Sequence, residues 1–225
     1  LDTVDSTSDW LSRQQSGGAD IHGKTCLTEF QSAGRGRRGR NWQGSPYCHL
    51  MFSMGWRFQK EAVEMTGLSL SVGVEVADSL RNLSGAPVGL KWPNDLWCSD
   101  RKLGGILIDL NTASKPDTQA IVGIGINLQE PGLEHFDPGQ PVTDLASNVQ
   151  GELPSRISII AVVMTAVARS LDRFGQHLFG CDRERFNALD VFAGRKVQIS
   201  SGGTSLEGIG PVSYTHLTLP TISSV

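Results

Sequence analysis

Ala120-Ile-Val-Gly-Ile-Gly-Ile-Asn-Leu128 decides how the rest of the chain is read. The run is apolar at odd and even positions alike, so as a strand it needs cover on both faces and belongs in the centre of a sheet. Glycines inside a strand weaken it unless a neighbouring backbone or a ligand has to come close, and Gly123 and Gly125 are read that way. The spacing fails as a dinucleotide fingerprint, because no third glycine follows to open a helix. Asn127 closes the run, either capping the strand end or offering its amide to a ring edge.

Outward from this strand the chain alternates between period two and period 3.6. Residues 102–110 and 95–98 read as a hairpin across Ser99-Asp-Arg101, and residues 88–92 as a short strand before it. Residues 25–30 and 47–56 read as further strands. A first helix starts at Ser6 or Thr7, which can cap it, and carries Trp10 and Leu11 inward. Met65, Leu68, Val72, Val76, Leu80 and Leu83 recur at helical spacing and give a central helix. Ile157, Ile160, Ala161, Met164, Ala168, Leu171 and Phe174 give a second, and residues 182–189 a short third. After residue 190 the texture changes to two short strands, 195–199 and 204–209. The expectation is an α+β fold, a mixed β-sheet with helices packed on one side, followed by a small β unit.

At 225 residues there is room for one sizeable domain and a small appendage. With 39% hydrophobic residues and every long apolar stretch interrupted, no membrane span is expected. The opening residues lack the basic and apolar blocks of a signal peptide, and a start at Leu1 rather than Met is expected of a fragment or a processed chain. Cys26, Cys48, Cys98 and Cys181 have no CxxC spacing and are read as buried free thiols of a cytoplasmic protein. A net charge of −3 does not invite nucleic acid, so any anion site has to be local.

Gly34-Arg-Gly-Arg-Arg-Gly-Arg40 is such a local site. Glycine lets the backbone approach a ligand or adopt positive φ, and arginine presents a fixed fork of donors to carboxylate and phosphate oxygens. A solvated basic loop and a nucleic-acid patch compete with a pocket for a small anionic ligand. Gln31 before the loop and Trp42 after it favour a small heterocycle. The loop repels itself when empty and is expected to order around an anion. Lys91 precedes the bend at Pro93, Asp95 follows it, and Lys102 stands before the pair Gly104-Gly105. None of the histidines (22, 49, 135, 177, 216) lies in a catalytic constellation.

Taken in order, Gly34–Arg40, Lys91-Trp-Pro-Asn-Asp95, Arg101-Lys-Leu-Gly-Gly-Ile-Leu107 and Gly123-Ile-Gly-Ile-Asn127 resemble the motifs of biotin protein ligases, as does Val4-Asp-Ser-Thr7 before the first helix. The resemblance covers residues 1 to about 210. It implies the sheet-and-helix fold shared with class II aminoacyl-tRNA synthetases. It also implies a biotin site of Ser6, Thr7, Ser8, Gln31, Gly34, Arg35, Gly36, Arg37, Lys102, Gly105 and Leu107. An ATP site is implied at Arg35, Arg37, Arg38, Arg40, Trp42, Lys91, Asn94, Lys102 and Asn127. Arg37, Lys91, Lys102 and Asp95 then stand at the reacting groups, the metal ligands being unassigned. Ser8 departs from the family, where Asn is more usual.

The implied organisation is a catalytic domain over residues 1–189, the start of an SH3-like β domain over 190–210, and a tail of doubtful origin over 211–225. No DNA-binding domain precedes the motifs. The implied reaction uses biotin, ATP and Mg²⁺, passes through biotinyl-5'-AMP, and biotinylates a lysine of the biotin carboxyl carrier protein of acetyl-CoA carboxylase, with a homodimer possible. The alternatives are a lipoate ligase or octanoyltransferase of the same architecture, a ligand-sensing nucleic-acid binder, and a folded but inactive fragment.

Overall fold

The structure, a computed structural model, describes residues 1–42, 44–112, 117–129, 140–201, 204–209 and 223–224. In chain order the strands are β1 (Thr3–Val4), β2 (Thr25–Thr28), β3 (Phe30–Gln31), β4 (Gly34–Arg35), β5 (Asn41–Trp42), β6 (His49–Phe58), β7 (Gly89–Lys91), β8 (Asp95–Cys98), β9 (Arg101–Asn111), β10 (Thr118–Asn127), β11 (Lys196–Ser201), β12 (Thr204–Ile209) and β13 (Ser223–Ser224). The helices are α1 (Thr7–Ser16), α2 (Leu68–Ser84), α3 (Arg156–His177) and α4 (Arg183–Leu189).

The main sheet has the order β2-β6-β10-β9-β8-β7, which puts the apolar strand β10 inside, between β6 and β9. Each pairing in this sheet is antiparallel, within the α+β architecture that was expected. From β7 to β10 the chain runs as a meander joined by short turns, and short turns can join only antiparallel strands. Parallel pairing is confined, among the described residues, to β1 with β3 and to two isolated bridges.

Alternation then sorts the layers. Leu50, Phe52 and Met54 of β6 and Val122, Ile124 and Ile126 of β10 bury against Leu68, Val72, Val76 and Leu80 of α2 and against α3. Ile121, on the other face of β10, joins Leu11, Ile21 and Cys26 in a second cluster, with Trp10 partly buried on it. Thus α2 and α3 cover one face as expected, whereas α1 lies over the opposite one. Ser6 caps α1 through its hydroxyl, which accepts from Asp9 N at 3.3 Å. Gly85 at φ 69° ends α2 in the left-handed region.

Two expectations need correcting. The buried stripe of α3 is Ile159, Val163, Ala166, Val167, Ser170, Leu171 and Phe174, while Ile157 is 80% exposed. Apolar residues ring this helix so widely that their pattern establishes a helix but leaves its facing angle ambiguous. Of the four thiols, Cys26 and Cys98 are buried, Cys48 is half-buried and Cys181 is exposed.

Past α4 the chain returns to the body through a parallel bridge of Asp190 with Leu90, and Val191 N donates to Leu90 O at 3.0 Å. It then forms the separate ladder β12-β11-β13. Among the described residues no helix is long and apolar enough to cross a membrane. His135, His216 and the expected tail, apart from residues 223–224, lie outside the described residues.

Candidate active site

Four short segments meet over the α1 face of β10. The first is polar and uncharged. Thr7 N and its hydroxyl donate to Gln31 Oε1 at 2.8 and 3.1 Å, and the Thr7 and Ser8 hydroxyls lie 2.7 and 2.9 Å from Ser53 Oγ. Ser53 was missed in the sequence, although a lone small hydroxyl in the apolar strand β6 is the signal that could have found it. It is fully buried between the two hydroxyls of α1. Gly123 sits below them; a Cβ there would stand 3.1 Å from Ser8 Oγ and 3.3 Å from Ser53 Oγ, so glycine leaves this floor open. Ser6 belongs to the cap of α1 rather than to this cluster.

The arginine–glycine loop is not structureless. Gly34 and Arg35 pair with Trp42 and Asn41, and residues 37–39 make a helical turn with Arg38 at φ 57° and Gly39 at φ 73°. Gly34 and Gly36 serve the close approach of the loop's own two arms: a Cβ at Gly34 would come within 2.5 Å of Trp42 O, and one at Gly36 within 3.1 Å of Arg40 O. Arg35 ties the loop down, reaching Asp9 of α1 at 2.7 Å and Asp109 of β9 at 2.9 Å. Arg37 donates to Asn94 Oδ1 at 2.9 Å, and Asn94 Nδ2 donates to Ile106 O at 2.9 Å. Burial, then the neighbouring Arg38, pulls the Arg37 guanidinium below its usual range. Arg38 and Arg40 are exposed.

The lysines come from the bend. The Trp92–Pro93 peptide is cis, and strand register sets Lys91 opposite Asp95 and Asp95 opposite Gly105. Lys102 Nζ lies 2.8 Å from Asp95 Oδ1. Gly105 lies beside that pair: a Cβ there would stand 3.5 Å from Asp95 Oδ1 and 3.6 Å from Lys102 Nζ, ordinary contact distances. Lys91 is 6% exposed, and its ammonium lies 4.5 Å from the Trp97 ring centroid and 5.6 Å from that of Phe192. Burial pulls Lys91 below the usual lysine range, Asp95 counters it, and Lys102 and Arg40 add to the pull. Arg37, Lys91 and Lys102, from three separate segments, therefore share one carboxylate neighbourhood.

The indole of Trp42 lies on β10, where a Cβ at Gly125 would meet its ring at 2.7 Å; its Nε1 is buried and lacks an acceptor among the described residues. Asn127 is tied into the fold at both ends of its side chain. Its Nδ2 donates to Thr143 O at 2.9 Å and its Oδ1 lies 3.1 Å from His49 Nδ1, so both ends of the carboxamide are used inside the fold. The His49 ring in turn meets Trp42 edge-on at 6.3 Å.

A cavity of about 620 Å³ follows the free edge of β9 beyond the end of β8, between the arginine loop and the start of α2. Arg37, Asn94, Leu107 and Asp109 line it, and the Thr7–Ser53 cluster does not. Arg35 is common to both places, since it also lines the cavity and pairs with Asp9, next to Ser8. Among the described residues no three His, Cys, Asp or Glu side chains are grouped to hold a metal.

The arrangement sets three cations around one carboxylate, a cluster of uncharged hydroxyls with an amide, and an arginine-rich loop beside a cavity. Residues 2–127 match the model of the Biotin/lipoate A/B protein ligase family, and the chain belongs to that family. It is 34% identical over 209 residues to the bifunctional ligase/repressor BirA of Escherichia coli, covering 93% of this chain and 64% of that protein. It is 38% identical over 140 residues to the biotin–[acetyl-CoA-carboxylase] ligase of Mycobacterium tuberculosis, covering 60% of this chain and 50% of the relative. The biotin protein ligase of Aquifex aeolicus in complex with biotin and ATP superposes with a TM-score of 0.76 at 25% identity, over 92% of this chain and 84% of that one. The chain thus spans just under two thirds of the length of the BirA relatives it matches.

Proposed function

We propose that the chain activates biotin with ATP to biotinyl-5'-AMP and transfers biotin to a lysine of a biotin carboxyl carrier protein. The observation that carries this reading is the meeting of Arg37, Lys91 and Lys102 around Asp95. Joining a carboxylate to an α-phosphate brings two anions together, and preorganised cations in a water-poor site are what lowers that barrier. In the first step a carboxylate oxygen attacks the α-phosphorus and pyrophosphate leaves. In the second a neutral lysine amine attacks the acyl carbonyl, AMP leaves, and the amine gives up a proton. Neither step needs a nucleophile from the enzyme.

The hydroxyls of Thr7 and Ser8 with Gln31 and Ser53 supply the mixed donors and acceptors that a ureido ring takes. Gly123, Gly105 and Leu107 form the floor along β10 and β9. Ser8, where relatives more usually have Asn, contributes a hydroxyl in place of a carboxamide. Trp42, with its indole N–H free, is the adenine-side contact. Asn127 acts there indirectly by holding His49. Arg35 and Arg37 close over the carboxylate and phosphate, and Arg38 and Arg40 lie outermost. Mg²⁺ enters with the nucleotide phosphates, which would supply most of its ligands. We assign residues 1–189 to the catalytic unit and residues 190–210 to the opening of a small β domain. The localisation is cytoplasmic.

Incubation with biotin and MgATP, followed by mass spectrometry, is expected to yield biotinyl-5'-AMP and, on adding apo carrier protein, a biotinylated lysine. Formation of an adenylate from lipoate or octanoate but not from biotin overturns the substrate.

A further inference from the structure

We propose that Trp97 and Phe192 form an aromatic box that positions Lys91 for adenylation, so that the segment leading into the small β unit completes the active site. The inference rests on the reading of Lys91 given above and adds a positioning role that neither ring has in it.

Lys91 is buried to 6% exposure at the end of β7, where an ammonium has lost most of its water. Among the groups facing it, Asp95 is the carboxylate, and Lys102 and Arg40 are like charges. Asp95 is already held by Lys102 at 2.8 Å. A cation so placed needs another source of stabilisation, and ring faces provide one. Trp97 of β8 stands 4.5 Å away and Phe192 5.6 Å away. The two rings meet at 5.7 Å with an interplanar angle of 64°, so they form two walls of one corner. A ring face carries negative charge density, and its attraction for a cation grows as water is removed.

Phe192 does not belong to the sheet that carries the lysines. It is held by two anchors at the exit of α4: the bridge of Asp190 with Leu90, and Phe192 N donating to Asp190 Oδ1 at 3.0 Å. Val191 packs on Gly89, where a Cβ would come within 2.5 Å of its side chain. Three residues on, Arg195 pairs with Asp100 of the β8–β9 turn at 2.6 Å. The chain that begins the small β unit is thereby clamped to the hairpin bearing Lys91, Asp95 and Lys102. Displacing the unit would uncover Lys91 on one side and remove one of its two rings. Phe192 touches no reacting group; it acts through Lys91.

The test uses the whole chain with phenylalanines of rising fluorine content incorporated at position 192, together with Phe192→Leu and Phe192→Tyr. Fluorine drains the ring face while leaving shape and packing almost unchanged, so these proteins fold. Biotin-dependent pyrophosphate release is followed from pH 6 to 10. In parallel, NMR of lysine labelled at Cε follows the titration of Lys91, with its signal assigned through Lys91→Arg. The expected result is a graded fall in kcat, roughly three- to thirtyfold for the most fluorinated ring and for Phe192→Leu. KM for biotin changes less than about twofold, the alkaline limb of the rate moves to lower pH, and Phe192→Tyr restores both. The Lys91 titration midpoint falls in step, because losing the ring face disfavours the charged form. A rate that falls without movement of the limb or of the midpoint reduces Phe192 to packing and overturns the proposal, as does a midpoint unmoved across the series. If the unmodified chain makes no biotinyl-5'-AMP, the proposed activity fails, and the NMR midpoint alone decides the box.

Discussion

Two charged clusters, one on each side of the sheet, divide their labour by stoichiometry. Between α2, α3 and α4, Glu75, Asp78 and Asp182 meet Arg169, Arg173 and Arg185, three carboxylates against three guanidinium groups. Arg173 reaches Glu75 at 2.6 Å and Asp182 at 2.5 Å; Arg185 reaches Glu75 and Asp78, each at 2.6 Å. In that cluster carboxylates and guanidinium groups are matched in number and pin the helices together, although Asp182 Oδ2 is buried without a partner among the described residues. Around β7 to β9, Arg37, Lys91 and Lys102 share Asp95, and the remaining partners are an amide and two rings. Among the described residues this cluster sets three cations against one carboxylate, which fits the anionic reactants proposed for it. Convergence of charge alone does not make a site; an unbalanced count in a partly covered place does.

The comparison can be broken most severely at Lys102. Lys102→Ala removes a cation from the open cluster and is expected to raise the adenylation barrier by about 3 kcal/mol or more, a loss of a hundredfold or greater in pyrophosphate release. Release near the wild-type rate, with circular dichroism unchanged, would remove Lys102 from the chemistry.

In the matched cluster the cost should appear as stability. Glu75→Gln leaves the arginines without their buried partner and is expected to cost about 3 kcal/mol in urea unfolding, while turnover per folded molecule stays the same. Its pH dependence has a definite sign. Burial pushes the Glu75 carboxyl up, but hydrogen bonds from Arg173 and Arg185 outweigh it, leaving it below its ordinary value of 4.5. A carboxyl lowered in the folded state contributes its stability above pH 4.5 and loses it as pH falls through the lowered value. The stability gap between wild type and Glu75→Gln therefore narrows on acidification below about pH 4.5; a gap that stays constant down to pH 2 would count against the ion pairs.

Gly125→Ala sharpens the distinction between the two halves of the open site. A Cβ within 2.7 Å of the Trp42 indole must displace that ring, an overpacking of about 1–3 kcal/mol. The expected outcome is a KM for ATP raised on the order of tenfold with biotin affinity little changed, read by isothermal titration. The smallest effect is expected at Arg35, whose pairs with Asp9 and Asp109 are partly exposed. Arg35→Ala should change stability by no more than about 0.5 kcal/mol. It should still let severalfold more biotinyl-5'-AMP escape in a single-turnover trap, and an unchanged escape rate would deny the loop its role as a cover.

Most of the fold was legible because the residues that make it are local. The apolar run at β10 placed that strand in the centre, and Ser6 announced the start of α1. The hairpin of residues 95–98 and 102–110 was legible from its short turn, whereas the pairing of β10 with β6, far apart along the chain, was not. The facing angle of α3 was not legible, since a helix apolar on most sides is oriented only by what it packs against. The loop glycines were read as admitting a ligand; that Gly34 and Gly36 also admit the loop's own backbone was not legible. Ser53, His49 and Phe192 escaped for a shared reason: each matters through a partner more than forty residues away.

By itself the sequence determined the list of strands and helices, the family, and the chemical kinds of the site residues, because periodicity, turn chemistry and motif order are written along the chain. Which of those residues remain available to a ligand was decided only in three dimensions. Asn127 and Trp42 were equal candidates as letters. In the fold the Asn127 carboxamide already makes one bond at each end, to Thr143 and to His49, while the Trp42 indole N–H is left buried without an acceptor among the described residues. A polar group's remaining hydrogen-bonding capacity depends on the neighbours that folding brings to it.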